Sequence, residues 1–283
     1  MGVIRGRARS TPSPARSDWP ALPRWKVIAQ ARGLVHVPPG MDVGLQVSPE
    51  ASVDLSPLGA GRPPDLQALW AAGTRATDAA LAPIAGLRSL RMLDLWAVPI
   101  GDAALHHVCD LSSLEVLDLW GTRVRDPGVA ELSGLRSLRR LHLPATITGE
   151  ALVHLAPLES LEYLDLSGCL LNDESIRHLC RLRRLRTLLL WGSGITDDAL
   201  GYLATMEGLR EIDLGGTFVT QAGLGQLRAL SSLRNLHLRE SLAGTTEGAT
   251  QLRRLLPYCR IYTSFRGDGS SGSVAPAWLT GNH

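Results

Sequence analysis

The sequence predicts an α/β protein of solenoid form: a curved stack of coils with a parallel sheet on its inner face and short helices on its outer face. Two observations carry this. A short pattern recurs along the chain, as LRMLDLWAV at 90–98, LEVLDLWGT at 114–122, LRRLHLPAT at 138–146, LEYLDLSGC at 161–169, LRTLLLWGS at 185–193, LREIDLGGT at 209–217 and LRNLHLRES at 233–241. Its first leucines stand at 66, 90, 114, 138, 161, 185, 209 and 233, so every step is 24 residues except one of 23. A strand and a short helix in so few residues cannot bury their own apolar faces, whereas stacked copies can.

Each unit opens with a strand. Leucines at its fourth and sixth positions, such as Leu117 and Leu119, alternate with a residue on the opposite face, here Asp118. The leucines are therefore expected in the core and Asp118 outside it, so that Asp118→Ala should cost much less than loss of either leucine. A small polar residue follows at the ninth position: Thr122, Thr146, Cys169, Ser193, Thr217 and Ser241. Such a side chain suits a buried slot where it hydrogen-bonds the turn backbone.

The second half of each unit changes period. In ITDDALGYLATMEGL, Ile195, Leu200, Leu203 and Met206 share one helical face, with Thr196 as cap and Asp197 and Asp198 in the first turn. Asn172 with Asp173 and Glu174, and Thr148 with Glu150, repeat the arrangement. These acids are read as helix-capping groups that favour the exposed amides of the first turn.

With LxxLxLxx followed by a small polar residue in each unit, the chain resembles the leucine-rich repeat family. The stretches GTRVRDPGVAEL at 121–132 and GTFVTQAGLGQL at 216–227 are similar to the bacterial and protozoan branch and to the cysteine-containing repeats of F-box proteins. The resemblance spans about residues 66–262. It implies a binding scaffold, and through the F-box relatives it also implies a substrate receptor of a ubiquitin ligase.

The ends depart from the repeat. Residues 1–32 carry Arg5, Arg7, Arg9, Arg16, Arg24, Lys26 and Arg32 against Asp18, with Pro12, Pro14, Pro20 and Pro23 between them; they read as a basic, disordered arm. Residues 33–65 read as an irregular cap over the first coil, residues 66–262 as the repeat domain and residues 263–283 as a flexible tail. The stretch 252–265 supplies a last helix ending near Pro257 and an edge strand around Ile261.

Composition narrows the functional classes. A formal charge of +2 gives no general polyanion signal, and aromatic residues make up only 5% of the chain, which leaves the core to aliphatic side chains. The sequence has neither a secretory apolar region nor the run of roughly 18 apolar residues that a membrane helix needs. The expectation is a cytoplasmic or otherwise intracellular protein without membrane insertion. Cys109, Cys169, Cys180 and Cys259 lack CxxC spacing and read as reduced thiols.

The outward strand positions form three columns on the concave face. The middle column holds Asp94, Asp118, His142, Asp165, Leu189, Asp213 and His237; the following one holds Trp96, Trp120, Pro144, Ser167, Trp191, Gly215 and Arg239. The preceding one holds Met92, Val116, Arg140, Tyr163, Thr187, Glu211 and Asn235. Tryptophans beside carboxylates on a rigid sheet make a hot-spot patch, with Asp94 and Asp118 accepting donors at its edge. The expected partner-binding residues are Asp94, Trp96, Asp118, Trp120, His142, Tyr163, Asp165, Trp191 and Asp213.

Catalysis is not expected. Asp118, His142 and Asp165 are consecutive in one column, but an open concave face excludes water poorly and no nucleophile follows apart from Ser167. His107, His154 and His178 share a helical position without the four ligands of a structural zinc site. No phosphate loop or dinucleotide fingerprint is present. The reading is a non-enzymatic module, without cofactor or metal, that binds an unidentified protein. Its alternatives are the ubiquitin-ligase receptor and nucleic-acid binding through the basic arm, which the arm's prolines disfavour. The sequence assigns no oligomeric state.

Overall fold

The computed structural model describes residues 2–6, 26–31, 42–48, 53, 55–59 and 65–263, the first two stretches by backbone alone. Ten short strands form a continuous parallel ladder: β3 (Gly44–Val47), β4 (Ala68–Trp70), β5 (Met92–Asp94), β6 (Val116–Asp118), β7 (Arg140–His142), β8 (Tyr163–Asp165), β9 (Thr187–Leu189), β10 (Glu211–Asp213), β11 (Asn235–His237) and β12 (Arg260–Tyr262). Beyond β3, β1 (Gly2–Gly6) pairs antiparallel with β3 and with β2 (Lys26–Ala31). The sequence offered only a basic arm there; residues 7–25, with four of its arginines, lie outside the described residues. So do the RGD tripeptide at 266–268 and nearly all of the tail.

Register follows the repeat without slippage. Met92 pairs with Val116, Val116 with Arg140, Arg140 with Tyr163, and so on to Asn235 with Arg260. One continuous core runs beneath the sheet, and Leu93, Leu117, Leu141, Leu164, Leu188, Ile212 and Leu236 are wholly buried in it. Burying a leucine side chain stabilises by about 1.5–3 kcal/mol, so this column is a large share of what holds the coils together.

The strand leaves the sheet through a recurrent turn. Asp94, Asp118, Asp165 and Asp213 each accept a hydrogen bond at Oδ1 from the N–H two residues on, at 3.1, 2.9, 2.9 and 2.7 Å. The eighth residue then turns left-handed, as Gly121 does at φ +72° and Gly168 at φ +74°. Its N–H bonds forward to the next coil, as Gly168 does to the Trp191 carbonyl at 2.7 Å. Glycine suits this position because the left-handed region penalises a Cβ. At the ninth position Thr122, Ser193, Thr217 and Ser241 donate to the carbonyl three residues back at 2.6–2.8 Å, and Cys169 donates to Pro144 O at 3.4 Å. Thr146 departs from this pattern. Its unit is one residue short, so it lies exposed and donates instead to Val124 O.

The outer face alternates between short α-helices, such as Asp126–Glu131 and Asp197–Leu203, and 3₁₀ turns, such as Gly149–Leu155 and Asp173–Arg181. Thr148, Asn172 and Thr196 cap them as the sequence indicated. The acids do something further. Asp126, Asp173 and Asp197 each accept both the backbone N–H and the hydroxyl of the threonine that caps the next coil, Thr148, Thr196 and Thr220. They form an inter-coil ladder along one flank, because stacking brings a first-turn carboxylate beside the following cap. Gly223 is required where this ladder passes close: a Cβ there would lie 2.3 Å from Asp197 Oδ1.

Candidate functional site

The concave face differs along its length. Over β4–β6 the residues flanking the aspartate column are bulky. Ala68, Met92 and Val116 form a small apolar cluster with Trp70 on one side. On the other, Trp96 and Trp120 stack with centroids 5.5 Å apart and planes 10° from parallel. Adjacent parallel strands are about 4.8 Å apart, so in-register indoles have little choice but to lie against one another. Trp120 remains 39% exposed, while Trp96 and Trp191 are half-buried.

Between these two rows lies a buried polar cluster. Asp94 and Asp118 are 0% exposed, and His142, Asp165 and Asp213 are also buried. His142 Nδ1 lies 3.4 Å from Asp118 Oδ1, and its Nε2 lies 3.2 Å from Asp165 Oδ2. Among the described residues, neither His142 Nε2 nor Asp118 Oδ2 has a hydrogen-bond partner. The Trp120 and His142 rings stand 6.1 Å apart. Burial is the strongest single influence on the His142 imidazole and lowers its pKa. The charges of Asp165, Asp118 and Asp94, with a hydrogen bond to Asp118, together outweigh burial and raise it above its ordinary value. The imidazole is thus held between two carboxylates that favour its protonated form.

Two expectations are corrected here. Asp94 and Asp118 cannot meet a ligand at the patch edge, because the neighbouring columns cover them and one oxygen of each is spent on the turn N–H. Asp118 is likewise not a lightly held outer residue, since it is wholly buried, accepts the Trp120 N–H and lies 3.4 Å from His142 Nδ1. The strand pattern marked which face these carboxylates occupy, but that face is itself packed over β4–β8. Tyr163 is buried too, with the Arg140 guanidinium over its ring at 5.4 Å.

Over β9–β12 the surface opens. Leu189 interrupts the carboxylate column, and Glu211 Oε1 lies 3.1 Å from His237 Nε2. The His237 ring stacks on Tyr262 at 4.4 Å. Burial raises the Asp213 carboxyl above the usual range, the Asp165 and Glu211 charges add to this, and the Gly215 N–H and His237 act against it. Trp191 lies against Gly215, where a Cβ would come within 2.7 Å of the indole. The sequence gave no reason to single out this close approach.

The rows of register, the inner sheet and the outer turns decide the architecture. The chain folds as a leucine-rich repeat solenoid. The family model described as Leucine Rich Repeat matches residues 160–182. A search of curated proteins returns no match. Among solved structures, the chain is similar to an internalin, inlF, from Listeria monocytogenes, at 20% identity with a TM-score of 0.56. That match covers 70% of this chain and 60% of the internalin, so this chain spans less than two thirds of that protein's length. It is also similar to internalin C2 of the same organism at 24% identity, with a TM-score of 0.50, covering 66% of this chain and 84% of that one. At these identities the likeness concerns the fold.

Among the described residues no group of three His, Cys, Asp or Glu side chains is placed to hold a metal ion, and no helix is long and apolar enough to cross a membrane. The comparison corrects one expectation. The intracellular location expected from the sequence is withdrawn, since the solved structures that share the fold are internalins.

Proposed function

We propose that the chain binds a protein partner through its concave face, with Trp96 and Trp120 as the central contact and Trp191 further along the same column. The observation that carries this is the Trp96–Trp120 stack: a partly exposed aromatic surface fixed at the turns that leave two consecutive strands. Such a surface needs no loop to order before contact, which lowers the entropic cost of binding. The buried cluster of Asp94, Asp118, His142 and Asp165 supports it from beneath, and Tyr163 and Asp213 continue that support toward β10. The role of these residues is to hold the tryptophans in place.

Removing both indoles tests the reading. Trp96→Ala with Trp120→Ala should leave the circular dichroism spectrum near wild type and weaken a captured partner, measured by calorimetry, by at least about 2 kcal/mol. His154→Ala with His178→Ala, on the outer face, should weaken it far less. Equal affinity for wild type and the tryptophan variant would move the interface elsewhere.

A further inference from the structure

The residue just before each strand forms a file along one rim of the concave face. In the first half of the solenoid this file neutralises itself: Arg91 Nε lies 2.8 Å from Glu115 Oε1, and Arg139 Nη2 lies 2.6 Å from Glu162 Oε1. The alternation then stops. Arg186, Arg210 and Arg234 follow on consecutive coils, and Arg260 stands one step inward on β12. Among the described residues no carboxylate pairs with any of the four. Arg186 is half-buried and donates to Gly208 O at 2.8 Å, and Arg234 donates to Ser231 O at 3.1 Å; Arg210, Arg234 and Arg260 are exposed. Arg183 and Arg184 add exposed charge at the near end of the file.

We infer that this rim is a docking surface for an acidic, extended segment of the protein partner, an inference that rests on the concave-face reading and extends it. Four coils at about 4.8 Å per strand spread the file over about 14 Å. An extended peptide advances about 6.7 Å for every two residues, so carboxylates at three alternate positions span about 13 Å and meet the file from one side. Guanidinium forks bind carboxylates bidentately, which suits a single row of charges. A nucleic-acid strand fits less well. The column beside the file presents Thr187, Glu211 and Asn235, which give bases nothing aromatic to stack on and set a carboxylate against the phosphates. A second copy of this chain fits less well too, because its acidic flank is engaged by its own Thr148, Thr196 and Thr220.

The test uses the full chain and a fluorescein-labelled peptide of alternating glutamate and serine, followed by anisotropy at low and moderate salt. Wild type should bind, with affinity falling as salt rises. Arg210→Glu with Arg234→Glu and Arg260→Glu should weaken binding at least tenfold. Arg75→Glu with Arg123→Glu and Arg253→Glu, the same charge change at exposed sites elsewhere, should weaken it less than threefold. The corresponding glutamine triple, checked for an unchanged thermal midpoint, should reproduce the rim effect without reversed charge. Equal loss in the two glutamate triples would reduce the effect to net charge and overturn the inference. So would absence of peptide binding, tighter binding of single-stranded DNA than of the peptide, or concentration-dependent self-association that only the rim triple abolishes. Trp96→Ala with Trp120→Ala should leave peptide binding intact. A captured partner weakened by the tryptophan change but not by the rim change would sink the rim inference and leave the concave-face reading standing; the reverse pattern would do the opposite.

Discussion

Coils β5–β8 and coils β9–β12 share one backbone plan yet differ in almost everything they present. Both have the same register, the same inward aliphatic column and, in the units after β5–β11 with Ala145 excepted, the same left-handed turn at the eighth residue. In the first half, bulky neighbours close over a carboxylate–imidazole cluster and the rim arginines are paired with glutamates. In the second, Leu189 breaks the column, Gly215 leaves room for Trp191, and the rim arginines lack carboxylate partners among the described residues. The repeat fixes a scaffold and leaves a few positions per coil free to carry function. What those positions do depends on the coils beside them.

The sharpest way to break this comparison is to remove one aspartate from each half. Asp118→Ala removes one of the two carboxylates that hold the buried His142 ring and should cost about 3–5 kcal/mol, the scale for breaking a buried ion pair. Asp213→Ala removes a turn hydrogen bond from a carboxyl that burial already disfavours as an anion, and should cost about 1–3 kcal/mol. Urea titration measures both. Equal costs would mean that the buried cluster confers nothing particular on the first half.

The core should show no such difference. Leu117→Ala and Ile212→Ala occupy the same wholly buried column and should each cost about 2–5 kcal/mol through lost burial and a cavity. A large gap between them in the same titration would show that the two halves are unequal in their foundations as well as in their faces.

The smallest effect separates the halves by pH. The folded pKa of His142 lies above its ordinary 6.5, so the stability it contributes is present in full below about 6.5 and is lost as pH rises through the folded value. Asp213 is raised above 3.8, so its burial penalty is full above its folded value and is relieved as pH falls through it. In both windows the folded chain holds its proton more tightly than the unfolded chain. His142→Gln should flatten the thermal midpoint curve in the neutral to alkaline window, and Asp213→Asn should change it only in the acidic one. An unchanged neutral slope in His142→Gln would place the pH dependence outside the cluster.

The sequence by itself determined the coil length, the inward leucines, the caps at Thr148, Asn172 and Thr196, and the three outward columns, because each follows from the local geometry of a strand or a helical turn. It placed Trp120 beside Trp96 for the same reason. It could not show that Asp94 and Asp118 are sealed, since the groups that seal them belong to other columns and other coils. Nor could it show that Asp126, Asp173 and Asp197 serve the next coil as much as their own helix, because within one unit each is simply an acid in a first turn. The end of the rim's arginine–glutamate alternation is written in the sequence as Arg91, Glu115, Arg139, Glu162, Arg186, Arg210 and Arg234. It acquired meaning only once the fold set those residues side by side, because burial and charge pairing depend on distance in space, and stacking the coils is what creates those distances.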